Sequence, residues 1–349
     1  MTTRVADVAK ARLSIAARRL GTQDPVPLIG GLIDRSFDLP VGDRRYGNNA
    51  LTPGTVPLEH SFTETSAAAL RLALEPYGPG ASPDTRRQEV SREVRRLVSR
   101  CYGAPALAWF DRASEPFRGA HRPGSSRFGA WFGAAFDENG VAETKAYYEL
   151  VPGQLGELPP NLRHASEVAM AHMPGLLPIF TSIACGRGQG AQRVYFYHRG
   201  DLRLLDLEPM MNALGVGHQL PSILSALGLI LGGRFVLPEG SVIMGLRDTA
   251  RGIGLKLDVL LPGVPDPPRE MHGLIQMYLA QRPEMQRALR HWMQAMTPDA
   301  YAGPGKMSVV GVKVNPHTPA RLSIYFRPVG YDQPPSQRER GAQYAGARQ

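Results

Sequence analysis

The chain contains few cysteines and no long apolar run. Only Cys101 and Cys185 occur among its 349 residues, which is too few for a disulfide framework, and neither has the spacing of a metal ligand. No stretch reaches the roughly 18 uninterrupted apolar residues of a membrane helix. The first 21 residues mix charges into their apolar positions, unlike a signal peptide. We therefore expect a cytoplasmic protein that has no membrane partner and no metal site.

Acidic residues are outnumbered by basic ones. The formal net charge is +9, and ten arginines fall between Arg86 and Arg127. This excess favours an anionic partner, either nucleic acid or a phosphorylated small molecule. A solvated basic helix face explains the arginine cluster equally well. Because nucleic-acid binding would leave the strand pattern described next unexplained, we expect no nucleic-acid partner.

Five segments show the alternation typical of β-hairpins. They are residues 59–75, 131–150, 183–206, 241–262 and 307–328, and helix-like sequence separates most of them. Closing about ten antiparallel strands into a barrel would remove the exposed edges of an open sheet. We predict an α+β fold, in which the barrel surrounds a ligand tunnel and helices surround the barrel. In the third segment, TSIAC (181–185) is predicted to be the first strand, and LRLLDL (202–207) stays unassigned.

The barrel is predicted to form one domain over residues 1–331, of which the first 40 are an N-terminal helix and a linker. Residues 332–349 are polar and are interrupted by proline and glycine. Such a composition cannot bury enough apolar surface to fold. We predict a disordered tail there.

A cation, usually with a nearby tyrosine, recurs on one face of the predicted strands. The sets that share a face are Lys145 with Tyr147, Arg193 with Tyr195 and Tyr197, and Arg321 with Tyr325. The apolar residues of the opposite face, which would pack against the helices, are Ala146, Val194, Leu255 and Ile324. If the first faces converge, they line a cationic and aromatic tunnel. Such a tunnel has the chemistry needed to hold a diphosphate beside a carbocation.

The run PLEHSFTETSAAALRLALEP resembles the signature of the dimethylallyltryptophan synthase (DMATS) type of aromatic prenyltransferase. The residues that carry this resemblance are Pro57, Glu59, Arg71, Glu75 and Pro76. TKAYYEL and SIACGRGQGAQRVYFYHR resemble the family's next two strand motifs, and GIGLKLDV and RLSIYF fall where its fourth and fifth strand pairs belong. The likeness spans roughly residues 50 to 330, and in length the chain resembles bacterial indole prenyltransferases.

The resemblance implies the ββαα prenyltransferase barrel, known as the ABBA fold, and an enzyme of secondary metabolism. Such enzymes move a dimethylallyl group from dimethylallyl diphosphate to the indole of tryptophan or of a tryptophan-derived compound, by Friedel–Crafts alkylation. The family does not require magnesium. The sequence agrees, because it has no Asp-Asp-x-x-Asp motif, and we expect no cofactor.

The resemblance also implies a role for each site residue. Glu59 would be the catalytic residue that accepts the indole N–H, and we expect its carboxylate to stay ionised inside a cationic barrel. The implied diphosphate ligands are Arg71, Lys145, Arg193, Lys256 and Arg321, in which arginine supplies forked donors and lysine a point charge. The residues implied to shield the allyl cation, by attraction worth ~2 kcal/mol or more each when desolvated, are Tyr147, Tyr195, Tyr197 and Tyr325.

Three positions depart from the family pattern. Tyr195 stands where most relatives carry a lysine, Asp258 where an aromatic residue is expected, and Arg321 where a tyrosine is common. The departures leave open an acceptor such as tyrosine, a cyclic dipeptide, a peptide side chain or a phenolic metabolite, although Glu59 favours an indole. A non-catalytic carrier of a hydrophobic anionic ligand is the alternative from another class. A carrier would not need cations placed to stabilise a leaving diphosphate.

Overall fold

Ten antiparallel strands close into a barrel in the computed structural model, which describes residues 3–119, 126–188 and 190–331. In chain order the strands are Leu58–Thr63 (β1), Leu70–Leu74 (β2), Ala130–Asp137 (β3), Gly140–Glu149 (β4), Leu176–Gly186 (β5), Gly190–His198 (β6), Leu202–Arg203 (β7), Val236–Leu237 (β8), Val242–Thr249 (β9), Gly252–Leu260 (β10), Gly305–Asn315 (β11) and Thr318–Pro328 (β12). The order around the barrel is β1-β12-β11-β10-β9-β6-β5-β4-β3-β2, while β7 and β8 form a separate ribbon. Closure leaves the barrel without an exposed edge strand.

The barrel hairpins lie on the five segments that the sequence predicts, with one difference in the third. TSIAC lies within β5, as predicted, but this strand already begins at Leu176. The run LRLLDL, which had no assignment, forms β7 and a turn of 3₁₀-helix over Leu204–Leu207. Pro174 and Pro178 explain why the strand start is hard to place, because proline interrupts both helical and strand patterns.

Helices precede the barrel and follow its hairpins. They are Val5–Leu20 (α1), Val26–Ser36 (α2), Pro83–Arg118 (α3), Pro160–His172 (α4), Glu208–Ala213 (α5), Leu220–Ile230 (α6), Met271–Tyr278 (α7) and Pro283–Met296 (α8). The long α3 begins at the cap Ser82, whose Oγ accepts from the backbone N of Thr85 at 3.1 Å. It breaks at Gly103, where φ is 82°, a value that glycine adopts without steric penalty.

The outer face of the barrel is buried under these helices. Ala146, Val194, Leu255 and Ile324 are each at most 2% exposed, as the alternation predicts. The helix α3 packs on β3, β4 and β5, while α6 packs on β11 and β12. Burial of this apolar face, at roughly 25 cal/mol per Å², leaves the inner face free to be polar.

Much of the arginine-rich segment lies on α3 and is paired within the fold. Ion pairs join Arg86 to Glu75, Arg87 to Asp84, Arg92 to Glu89, Arg96 to Glu93, and both Arg95 and Arg118 to Asp111. From α2, Arg35 reaches Glu89 and Glu93 at 2.8 and 2.7 Å. The positive charge of this segment is therefore largely balanced by neighbouring carboxylates.

Two sequence predictions concern the extent of the chain. The predicted tail, residues 332–349, lies outside the described residues, and the single domain over 1–331 stays a prediction. Within the described ranges, no helix combines the length and the apolar character that crossing a bilayer requires.

Glu75 joins the first hairpin to α3 and to β3, and we predict that its charge stabilises the fold. Its Oε1 lies 3.0 Å from Nη2 of the buried Arg86. Its Oε2 accepts from the Ala50 backbone N and the Trp131 Nε1, both at 3.0 Å. Because Glu75→Gln leaves a buried guanidinium unpaired, the free energy of unfolding in urea should fall by about 3 kcal/mol. Glu167→Gln, at an exposed position of α4, is the control; equal stability of the two variants would contradict the prediction.

Candidate functional site

The inner face of the barrel encloses a cavity of about 590 Å³ that residues from all ten barrel strands line. Its lining includes six cations, Arg71, Lys145, Arg193, Lys256, Lys313 and Arg327, and three carboxylates, Glu59, Glu143 and Asp258. A concave site with a surplus of one charge concentrates its field on a ligand of the opposite sign. The cavity therefore suits an anion.

Eight of the ten predicted site residues line this cavity. They are Glu59, Arg71, Lys145, Tyr147, Arg193, Tyr195, Lys256 and Tyr325. The other two, Tyr197 and Arg321, are not among the lining residues. The hydroxyl of Tyr197 donates to Glu239 at 3.4 Å in an exposed contact, and Arg321 pairs in register with Lys313. Alternation places both residues on the inward face of their strands. It does not show how far along the strand each residue lies from the cavity.

Two of the predicted diphosphate ligands share a carboxylate that the sequence analysis missed. Oε1 of Glu143 lies 2.7 Å from Nζ of Lys145 and 3.2 Å from Nη1 of Arg71. Burial acts to raise the pKa of Glu143, but the charges of Lys145 and Arg71 outweigh it and hold that pKa well below its ordinary value. Glu143 is therefore a carboxylate that holds these two cations together.

Lys256 is paired with Asp258, one of the departures from the family pattern. Its Nζ donates to Oδ2 of Asp258 and, at 2.6 Å, to the hydroxyl of Tyr325. The room for this carboxylate comes from Gly311 on the neighbouring strand, where a Cβ would collide with Oδ1 of Asp258. Asp258 thus balances the charge of Lys256 at the position where an aromatic residue was expected.

Arg193 and Lys313 have no carboxylate partner within the described part of the chain. Nη1 of Arg193 lies 3.3 Å from the hydroxyl of Tyr195. Nζ of Lys313 donates to the hydroxyls of Thr63 and Thr65, each at 2.9 Å. Since neutral hydroxyls balance no charge, Arg193 leaves positive charge available to a ligand in the cavity, and Lys313 is left without a counter-charge.

Lys313 is a lining residue that sequence reasoning did not select. Its signal was present, because Lys313 alternates with apolar residues in VVGVKVN, which puts it on the opposite face from Val312 and Val314. No tyrosine follows Lys313 on the strand, so a search for a cation with a nearby tyrosine did not select it. A search for inward-facing cations alone would have found it.

An aromatic wall lies beside the cations. Phe180 stacks on Tyr195 with ring centroids 4.3 Å apart, and Trp131 meets Phe180 edge-on at 5.4 Å. Phe128 stacks on Trp131 at 3.9 Å, and Tyr147 lies 6.3 Å from Tyr195. Burial opposes ionisation of Tyr195, but the charges of Arg193, Lys256 and Lys145 lower its pKa. The wall offers electron-rich ring surface next to Arg193.

Glu59 ionises less readily than the expectation of an ionised carboxylate implies. Its Oε1 accepts from the Ser308 hydroxyl at 3.1 Å. Burial, with a smaller contribution from the charge of Asp258, raises the pKa of Glu59 to about 7. The charges of Lys256 and Arg327 oppose this shift but do not cancel it. Near neutral pH the carboxyl is therefore divided between its protonated and ionised forms.

Metal-ligating side chains are scattered in the part of the chain that the structure describes. There, no three or more histidines, cysteines, aspartates or glutamates are grouped as ligands of a metal ion. The exposed Cys101 and the buried Cys185 are both free thiols.

Solved structures share this fold at low sequence identity. The 5-dimethylallyltryptophan synthase from Streptomyces coelicolor superimposes with a TM-score of 0.66 and 16% identity, covering 95% of this chain and 99% of its own. The 6-dimethylallyltryptophan synthase from Micromonospora olivasterospora, in complex with DMASPP and Trp, gives 0.68 and 17%, with 95% and 100% covered. PriB, in a binary complex with product diphosphate, gives 0.69 and 16%, with 96% and 99% covered.

At this identity, these structures establish the fold of the chain. No protein-family model matches the chain, and none of the curated proteins matches it. The predicted ββαα prenyltransferase barrel is confirmed, and the structural neighbours are of the DMATS type that the sequence motifs resemble.

The raised pKa of Glu59 gives a prediction that can be tested without a substrate. In a ¹³C NMR titration of glutamate-labelled protein, the signal that Glu59→Gln removes should titrate near pH 7. Asp258→Asn removes a like charge and releases Lys256, so the same signal should move down by about one pH unit. Asp206→Asn, at an exposed site outside the barrel, should leave it in place. Titration at an ordinary glutamate pH in the wild type would contradict this account of Glu59.

Proposed function

We propose that this protein is an aromatic prenyltransferase. It moves a dimethylallyl group from dimethylallyl diphosphate to the indole ring of tryptophan, or of an indole-containing metabolite or peptide, by metal-independent Friedel–Crafts alkylation. The observation that carries the proposal is the barrel cavity, which is lined by Arg193 and Lys313, both without carboxylate partners among the described residues, and by the Phe180–Tyr195 wall. Neighbours with the same fold, crystallised with DMASPP and Trp or with product diphosphate, support it.

The cationic side of the cavity stabilises the leaving group. Breaking the allylic C–O bond places the electron pair on the diphosphate, and cations already fixed in a buried site stabilise that charge as it develops. Arg193 offers a forked donor and Lys313 a compact ammonium. Arg71 on β2 and Lys145 on β4 assist, held in place by Glu143.

The aromatic wall stabilises and protects the dimethylallyl cation. The faces of Tyr147 and Tyr195 attract a cation through their ring quadrupoles. Tyr325, which lies with its ring 4.8 Å from Nζ of Lys256, extends this surface. Rings packed against one another also exclude water, which would otherwise convert the cation to an alcohol.

Glu59 anchors the acceptor in this proposal. Its ionised form accepts the indole N–H, raises the electron density of the ring and fixes which carbon faces the cation. Because the pKa of Glu59 is about 7, this form gains population as the pH rises through neutrality. Binding of the indole N–H is expected to favour the ionised form further.

A phenolic acceptor, such as tyrosine, is the second candidate, and the same carboxyl favours it. A general base works best with a pKa near the working pH. A Glu59 carboxyl with a pKa of about 7 could therefore remove the hydroxyl proton of a phenol. An acceptor panel that includes tyrosine and cyclic dipeptides distinguishes a phenolic acceptor from an indole acceptor.

The test is product formation from dimethylallyl diphosphate in the presence of EDTA. Mass spectrometry should detect the gain of one C5H8 unit on an indole acceptor, from a panel of tryptophan, other indoles, tyrosine and cyclic dipeptides. Arg193→Met should lower kcat/KM by about 100-fold or more, because it removes a charge from the leaving-group site. Glu59→Gln should lower it for indoles, because the amide cannot take the carboxylate's role as N–H acceptor.

Lys306→Met is the matched control, since Lys306 is an exposed cation on β11 and should leave kcat/KM unchanged. Absence of product from every acceptor, while a diphosphate ligand still binds, would contradict the enzyme proposal and favour the carrier. Activity that EDTA abolishes would contradict metal independence. The cytoplasmic location stays part of the proposal and rests on the small number of cysteines.

A further inference from the structure

Like charges face one another across neighbouring strands of the barrel at several places. Lys313 on β11 is directly opposite Lys256 on β10 and Arg321 on β12. Arg193 on β6 is directly opposite Arg247 on β9. Like charges in directly opposed positions destabilise a sheet. Such an arrangement is tolerable if an anion sits between the charges, or if one cation gives up its proton while the cavity is empty.

The surroundings of Lys313 favour the loss of a proton from its ammonium group. The described residues provide it with no ion pair, whereas Lys145 is paired with Glu143 and Lys256 with Asp258. The carboxylate of Glu64 is near, but it accepts from the Leu322 backbone N at 2.6 Å and pairs with Arg282 at 3.2 Å. No counter-charge is thus assigned to Lys313.

The hydrogen bonds of Lys313 match those of a neutral amine. A neutral amine has two N–H donors and one lone pair, and Nζ donates to two acceptors, the hydroxyls of Thr63 and Thr65. Burial, together with the charges of Arg193, Lys256, Arg71 and Lys145, lowers the pKa of Lys313 well below its ordinary value. Geometry and electrostatics thus point the same way.

We propose that Lys313 is a ligand of the diphosphate group and that its amine takes up a proton as the diphosphate enters the cavity. The proposal rests on the proposed function, since it concerns the donor of the same site. A solvent proton bonds to the lone pair of Nζ, and the resulting ammonium donates to a phosphate oxygen. No other bond changes, and the proton returns to solvent when the diphosphate departs.

Proton uptake and release by Lys313 would adjust the charge of the cavity to the presence or absence of a diphosphate. With the donor bound, the full set of cations faces the leaving group, where charge develops in the reaction. Once the product diphosphate begins to leave, loss of the Lys313 proton removes one attraction that would slow its release. The site then combines strong stabilisation of the leaving group with release of the product.

Isothermal titration of inorganic pyrophosphate tests this without any acceptor. At pH 8, in two buffers of different ionisation enthalpy, the difference in binding enthalpy counts the protons taken up. The wild type should take up about one proton more than Lys313→Arg, because the guanidinium is charged in both states. Protonation changes of pyrophosphate itself are common to both proteins and cancel in this difference. Lys313→Met should bind at least tenfold more weakly, while Lys306→Met keeps wild-type affinity and uptake.

Each alternative result overturns a specific part of the proposal. Equal proton uptake in the wild type and Lys313→Arg would overturn the proton step. Wild-type affinity in Lys313→Met would overturn the role of Lys313 as a ligand, and a wild type that does not bind pyrophosphate would overturn both. Pyrophosphate binding with the expected uptake, but without prenylated product from any acceptor, would leave this inference standing and reject the proposed function.

Discussion

Cationic side chains held together inside a closed barrel repel one another, and this repulsion governs the arrangement of the inner face. Glu143 balances Arg71 and Lys145, and Asp258 balances Lys256, while two threonine hydroxyls solvate Lys313. Burying these charges on the inner face therefore lowers the stability of the fold, a cost that is common at functional sites. The apolar outer face, buried under the helices, supplies the stability that the inner face does not.

Asp258 acts on both the cation set and Glu59. It fixes Lys256 and, through Lys256, the hydroxyl of Tyr325, and its charge contributes to the raised pKa of Glu59. Replacing an aromatic residue with this carboxylate therefore changes both the cation set and the proposed acceptor anchor. In our proposal, the diphosphate depends most on Arg193 and Lys313, and the aromatic surface is concentrated at Phe180, Tyr195 and Trp131.

The sequence was sufficient to predict the barrel, because hairpin alternation and the order of the motifs are local properties. It also placed eight of the predicted site residues on the cavity, since the face of a strand follows from its period of two. It could not show that Glu143 also reaches Arg71 on β2, because this contact depends on the register between strands. For the same reason it did not show that Tyr197 and Arg321 lie beyond the cavity lining, or that burial shifts the pKa of Glu59.

The central claim is that the diphosphate lies between Arg193 and Lys313, with the allyl group against the aromatic wall. A crystal structure with dimethylallyl thiolodiphosphate, the donor analogue present in one PriB complex, tests this most directly. Our account predicts phosphate oxygens within hydrogen-bond distance of both side chains and the dimethylallyl chain against Tyr195. An analogue bound outside the barrel, or with its phosphates at the Glu59 end of the cavity, would contradict it.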